Sequence, residues 1–158
     1  MPKAGPSNGD SRMKSGGVLK HFILAFAIAL GLYAVAYYSI EHQRNRKGPW
    51  RVSFTHDPAG QPALQINQPT LGITNVSIVF AGESVMPTNA SDTIVFDQPK
   101  QVPYAIPFGR CVFMDTTFLP GTVTLQLFGH ELELLPRVMI LDHEEKKWLS
   151  GEAIVVHH

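Results

Sequence analysis

One uninterrupted apolar segment dominates the hydrophobic pattern of the chain, and it runs from Phe22 to Ile40. Its nineteen residues carry no charge, and they lack the polar positions that recur every third or fourth residue in a soluble amphipathic helix. At ~1.5 Å per residue, a helix of this length covers ~28 Å, close to the ~30 Å hydrocarbon core of a bilayer. The pattern therefore predicts one transmembrane helix within residues 18–41.

Both ends of this segment carry side chains that favour membrane boundaries. Aromatic rings crowd its carboxyl end, where amphipathic side chains favour the interface. Lys20 can reach the headgroups at the other end. The residues expected to anchor the chain in the bilayer are Phe22, Leu30, Gly31, Tyr33, Tyr37, Tyr38 and Ile40.

A cleaved signal peptide is the competing interpretation, because Ala34-Val35-Ala36 has the small-x-small form of a cleavage site. The apolar run is longer, however, than the usual ~7–15 residues of a signal-peptide core, and it continues to Ile40. We therefore favour an uncleaved anchor.

The flanking charges do not decide the orientation of this anchor, because four lysines and arginines precede the segment and four follow it. A lone anchor commonly presents the domain that follows it, and a lightly charged domain suits translocation. We expect the amino end to be cytoplasmic and the following domain to be extracytoplasmic, either periplasmic or extracellular.

The segments on either side of the span differ in composition. Residues 1–17 are rich in Gly, Ser, Pro and charge, and we expect this tail to be disordered. Residues 42–49 form a short basic linker suited to anionic headgroups. The side chains expected to contact lipid at the two boundaries are Lys20, Arg44, Arg46 and Lys47.

Beyond Pro49 the pattern changes to the two-residue period of β-strands. Trp50, Val52 and Phe54 alternate with polar residues, as in a strand with one buried face. Similar short segments recur along the chain with turn residues between them. About nine such strands predict one mainly β domain over residues 50–158, an antiparallel β-sandwich, with a small closed β-barrel as the alternative.

The segment around Gly129 and His130 allows the most specific local prediction. If these two residues form the type II′ turn of a hairpin, the strand register and the hydrophobic pattern agree. The expected facing pairs are Leu127 with Leu132 and Leu125 with Leu134. The charged segment at residues 142–147 is expected to be an exposed turn.

Charge divides the chain into two halves of opposite sign. Residues 1–49 hold seven basic and two acidic side chains, whereas residues 50–158 hold six basic and eleven acidic ones. An acidic domain repels phosphate backbones, and no basic stripe interleaved with aromatic residues occurs in it. Nucleic acid is therefore not an expected partner.

Candidate chemistry is confined to one cluster of histidines and carboxylates. A metal-binding or hydrolytic site would draw on His130, Glu131, Glu133 and His143, but the zinc motif HEXXH is absent. The predicted hairpin puts His130 at a turn tip and both glutamates on a polar face. The single cysteine, Cys111, lacks the nearby histidine that a copper loop requires, and we expect it to be buried. No cofactor is predicted.

Three functional hypotheses remain. The first is a membrane-anchored, non-enzymatic interaction module, an accessory or assembly subunit whose partners are the lipid bilayer and other membrane proteins. The second is an anchored metal-binding or hydrolytic domain that uses the His130 cluster. The third is a carbohydrate-binding or envelope-binding domain with exposed aromatic side chains; the candidates are Trp50, Tyr104 and Trp148.

Overall fold

The computed structural model describes residues 15–85 and 92–157, together with residues 1 and 5. Most of the tail expected to be disordered, residues 1–17, lies outside the described residues, although a helix begins within it at Ser15. The chain forms two compact units, Met1–Ile40 and Glu41–His158.

An apolar helix, α1, spans Ser15–Asn45 and continues into the beginning of the second unit. Within the described residues it is the one helix long and apolar enough to cross a membrane, and none of its apolar window is buried. Gly48, with a φ of 71°, and Pro49 follow its last turn, as is typical of helix ends. The first four residues of the predicted linker, 42–49, are therefore helical.

Eleven β-strands occupy the described part of the second unit, in two sheets. The strands are β1 (Trp50–His56), β2 (Pro62–Gln68), β3 (Ile73–Ala81), β4 (Asp92–Phe96), β5 (Tyr104–Ile106), β6 (Gly109–Asp115), β7 (Thr122–Leu127), β8 (His130–Leu134), β9 (Val138–Leu141), β10 (Glu144–Lys147) and β11 (Ala153–His157). The first sheet has the order β11-β3-β2-β1-β4, and the second has the order β10-β9-β8-β7-β6-β5. A 3₁₀ turn, Pro69–Leu71, joins β2 and β3.

Alternating side chains from both sheets meet in one buried apolar cluster. In β1, Trp50, Val52 and Phe54 are buried while Arg51 is exposed, as the two-residue period predicts. The mainly β prediction is confirmed, and the two sheets give the unit a sandwich-like architecture. Both sheets have free edges in the described residues, so the closed-barrel alternative is wrong.

The β7–β8 hairpin differs from the prediction by two residues in register. Leu125 faces Leu132, and the turn consists of Phe128 and Gly129, with φ values of 51° and 87°. Positive φ at both turn residues belongs to a type I′ turn, which matches the twist of the flanking strands. The type II′ turn predicted at Gly129 and His130 is wrong. The leucines predicted for the core are nevertheless buried, because a two-residue shift keeps every side chain on its face.

Two other local predictions are also wrong. Only Asp142 and His143 form a turn within residues 142–147, and the rest is β10, an edge strand whose charged residues carry no hydrophobic signal. β11 pairs with β3 in parallel, so the first sheet is mixed rather than antiparallel. A parallel pair needs a long connection, and neighbouring residues in the sequence do not reveal it.

Candidate functional site

β8 places the proposed metal ligands on opposite sides of its sheet. His130 lies on the side of the buried leucines, with its side chain 12 % exposed and its ring 6.0 Å from that of Phe80. Glu131 and Glu133 alternate with it and face the other side. In the described residues, no group of three or more His, Cys, Asp or Glu side chains is arranged to hold a metal ion. The four candidates therefore do not converge on one point, although Glu131 and His143, in the next turn, line the same groove.

Asp142 links two turns at one end of the second sheet, its own turn with His143 and the Phe128-Gly129 turn that precedes β8. Its Oδ2 lies 2.6 Å from His130 Nδ1, and its Oδ1 accepts a hydrogen bond from Glu131 N at 2.9 Å. Partial burial acts to raise the pKa of Asp142. Hydrogen bonds from the Glu131 N–H and the His130 ring, together with electrostatic interactions with His130 and His143, outweigh that effect and lower the pKa of Asp142 below its usual value. The sequence placed Asp142 in a turn, but it did not show that the Asp142 carboxylate binds the neighbouring β7–β8 hairpin.

An open groove of about 590 Å³ lies beside the Asp142 side chain. Arg110 Nε donates to Gln126 Oε1 at 2.9 Å, and Gln126 Nε2 donates to Glu131 Oε2 at 3.5 Å. These side chains form a hydrogen-bonded row, a surface suited to hydrogen bonding with a polar partner. The groove is lined by Gly109, Arg110, Gln126, Phe128, Gly129, Glu131, Asp142 and His143.

Replacing Asp142 with asparagine is expected to lower stability at neutral pH and to change it little in acid. Asparagine tolerates the left-handed backbone and keeps an acceptor for the Glu131 N–H, but it lacks the charge. Because folding lowers the pKa of Asp142, its charged form stabilises the fold above the unfolded-state pKa near 3.8. That contribution is lost as the pH falls through the folded-state pKa.

Urea denaturation of both proteins in detergent, from neutral to strongly acid pH, measures this difference. The free energy of unfolding should be higher for the wild type at neutral pH and equal for the two proteins in strong acid. A difference that stays constant across the whole pH range would contradict the role given to the Asp142 charge.

A buried amide binds the segment after α1 to the first sheet. Gln68 is 1 % exposed, and the two N–H groups of its Nε2 are shared among the carbonyl oxygens of Lys47, Gly48 and Pro49, at N···O distances of 2.9, 2.8 and 3.2 Å. Its Oε1 accepts from Thr70 N at 3.0 Å. Buried polar groups are costly without partners, so these bonds hold the predicted linker against the β-strands.

The loop between β6 and β7, residues 116–121, contacts the end of α1. Leu119 N donates to the carbonyl oxygen of Arg44 at 2.8 Å, and the buried Trp50 donates its indole N–H to the carbonyl oxygen of Gly121 at 3.1 Å. An open groove of about 540 Å³ lies beside these contacts, and we call it the helix-end groove. It is lined by Gln43, Arg46, Lys47, Phe118, Leu119, Pro120, Gly121, Thr122 and Pro136.

The structure places the predicted lipid contacts in different settings. Arg46 and Lys47 are exposed and line the helix-end groove. Arg44 forms an ion pair with Glu41 at 2.7 Å, which offsets its charge. Lys20 belongs to the first unit and is exposed on α1. The predicted anchor residues, Phe22, Leu30, Gly31, Tyr33, Tyr37, Tyr38 and Ile40, are all exposed on α1.

The aromatic residues considered for sugar binding take part in packing. Trp50 is completely buried, with its ring 5.3 Å from that of Trp148, whose indole N–H donates to the carbonyl oxygen of Leu135 at 2.9 Å. Tyr104 packs against the core, and burial raises its pKa. Cys111 is also fully buried, and burial raises the pKa of its thiol. A thiol in this setting is shielded from reagents.

No protein-family model, curated protein or solved structure matches the chain. Function is therefore inferred from the chain's own residues. The structure adds the helix-end groove, which the sequence did not predict. Its one sequence signal is Phe118-Leu119, two large apolar residues directly before the turn-forming Pro120-Gly121.

Proposed function

We propose that the chain is a single-pass membrane protein whose β-sandwich is a non-enzymatic interaction module, an accessory or assembly subunit of a membrane protein complex. In this proposal α1 remains uncleaved and crosses the bilayer. An apolar helix with no buried face supports this, because such a surface is stable only against lipid or other apolar helices.

The observation that carries the proposal is the attachment of the post-helix segment by Gln68. A catalytic domain that needs only a tether can work at the end of a free linker. Here three carbonyl groups of Lys47, Gly48 and Pro49 are bound by one buried amide. This favours a function that depends on keeping the domain at the membrane surface, where its effective concentration toward other membrane proteins is high.

Co-migration in mild detergent tests this function. The protein should migrate within a larger complex, and a Gly/Ser-rich insertion between Ile40 and Glu41 should weaken that complex. About fifteen such residues span ~20 Å, so they would free the domain from the membrane surface without touching the Gln68 bonds.

The matched control carries the same insertion between Ala59 and Gly60, in an exposed turn between β1 and β2. That complex should survive. A complex that survives both insertions would show that position at the membrane is irrelevant. A protein that migrates alone, binds stoichiometric zinc or copper, and loses function with His130→Ala or His143→Ala would support the metal-site hypothesis instead.

We also propose that the amino end is cytoplasmic and the β domain extracytoplasmic. Protease added to intact cells or spheroplasts should then remove residues beyond about 50, since a domain on the outer side is accessible. Full protection of the domain in intact cells, with digestion after lysis, would reverse the orientation.

A further inference from the structure

The most exposed apolar side chains of the second unit lie at one end of its sheets. Among the described residues of this unit, Phe118 and Leu149 have the highest exposure of the large apolar side chains, 57 % and 58 %. Phe118 lies in the loop that binds the Trp50 indole, and Leu149 follows Trp148, whose ring packs against Trp50. Both therefore lie at the end where β1 begins.

Covalent connection limits how far this end of the sheets can lie from the end of the apolar segment. Arg44, whose carbonyl oxygen accepts a hydrogen bond from Leu119 N, follows Ile40 by four residues in the chain, which span at most ~14 Å. The headgroup layer on each side of a bilayer is ~5–7 Å thick, because the whole bilayer measures ~40–45 Å and its core ~30 Å. With Ile40 at the edge of the core, this chain length allows the loop at residues 116–121 to contact the headgroup layer.

Charge at the helix-end groove suits the same environment. Arg46 and Lys47 are exposed, and the neighbouring loop, residues 116–121, contains no charged residue. Glu41 is paired with Arg44, and the exposed Asp115 carboxylate, directly before the loop, accepts a hydrogen bond from Thr117 N at 3.0 Å. An exposed aromatic ring beside two cations matches interfacial binding, in which the ring enters the headgroup boundary and the cations attract anionic lipid.

We infer that the helix-end groove and the Phe118 loop form a docking face for the headgroup layer of a bilayer that contains anionic phospholipid. This inference rests on the proposed function, because it requires α1 in the bilayer. It adds a second attachment beyond the helix. Contact through this face would turn the opposite end of the sheets, with the groove beside Asp142, away from the membrane and toward a partner.

Site-specific fluorescence on the full chain tests the docking face in vesicles. An environment-sensitive fluorophore is attached to Thr117→Cys, to Ala59→Cys at the far end of the sheets, or to Leu30→Cys in α1. Cys111 is completely buried, so wild-type protein should take up no label. The vesicles contain phosphatidylcholine and phosphatidylglycerol in equal parts, with nitroxide quenchers placed on the headgroup or on the acyl chain.

We expect the headgroup quencher to reduce the fluorescence of the label on Thr117→Cys and the acyl-chain quencher to reduce that of the label on Leu30→Cys. Neither quencher should reduce the fluorescence of the label on Ala59→Cys. Adding Phe118→Ser should weaken the Thr117 quenching. Replacing Arg46 and Lys47 together with glutamine should weaken it in these anionic vesicles more than in phosphatidylcholine alone, because only anionic lipid attracts the two cations.

Two results would overturn the inference, and they differ in what else they affect. A Thr117 signal as unquenched as Ala59, with Leu30 quenched, means that α1 spans the bilayer while the face does not touch lipid. If the label on Thr117→Cys is then shielded from solvent in native membranes but not in these vesicles, the face binds a protein partner. An unquenched Leu30 signal means that α1 is not in the bilayer, and the proposed function falls together with the docking face.

Discussion

The Gly121→Ala variant is expected to lose most of its folded β domain. Gly121 has a φ of 70°, and a Cβ atom there would overlap the backbone carbonyl oxygen of Asp115. Its own carbonyl group accepts the Trp50 indole N–H, so the loop cannot move aside without breaking a core contact. Because backbone cannot repack as a side chain does, we expect the free energy of unfolding to fall by about 3 kcal/mol or more.

Gly60→Ala is the matched control for this variant. Gly60 has a similar φ of 82°, but the space around its missing Cβ is open. Alanine there meets only the cost of a left-handed backbone, about 1–2 kcal/mol. Urea unfolding followed by the fluorescence of Trp50 and Trp148 compares the two variants. If both variants lose the same free energy of unfolding, Gly121 does not lie as close to the backbone of β6 as the structure shows.

The Leu30→Arg variant is expected to lose its retention in the membrane. Leu30 lies near the middle of the apolar segment at residues 22–40. At the centre of a membrane helix, arginine costs about 2.5–3.5 kcal/mol of insertion free energy, whereas leucine contributes about −0.3 to −0.6. The exchange therefore disfavours insertion by about 3–4 kcal/mol, a factor of several hundred.

Alkaline extraction of membranes followed by immunoblotting measures this retention. Val18→Arg is the matched control, because it adds the same charge near the start of α1, where a long side chain can reach the interface. Val18→Arg should stay in the membrane fraction, as the wild type does. If Leu30→Arg is retained as well as Val18→Arg, Leu30 does not lie at the centre of a bilayer.

Periodicity in the sequence predicted which residues face the core more reliably than it predicted how the strands pair. Alternation of side chains depends only on strand geometry, so Trp50, Val52 and Phe54 could be assigned to a buried face. Register depends on the turn, and Phe128 occupies a turn position with a φ of 51°, where a bulky aromatic residue is not expected from the sequence. The two-residue error therefore changed the pairing of β7 with β8 without moving a leucine out of the core.

The contacts of the helix-end groove could not be predicted because they join residues distant in sequence. Gln68 is an ordinary polar residue at the end of a strand until the fold brings three carbonyl groups of the linker to it. The bond from Leu119 N to the carbonyl oxygen of Arg44 likewise spans many residues. The prediction that Arg46 and Lys47 lie at a membrane boundary rests on a local signal, charge next to an apolar span, and it stays a prediction.

Intact-mass spectrometry of protein recovered from carbonate-washed membranes most directly tests whether α1 anchors the β domain. The apolar helix and the β domain should be found in the membrane fraction on one continuous chain that still contains residues 22–40. A β domain released into the wash, on a chain that begins near Tyr37, would show that the apolar segment is a cleaved signal peptide and would contradict the anchored module.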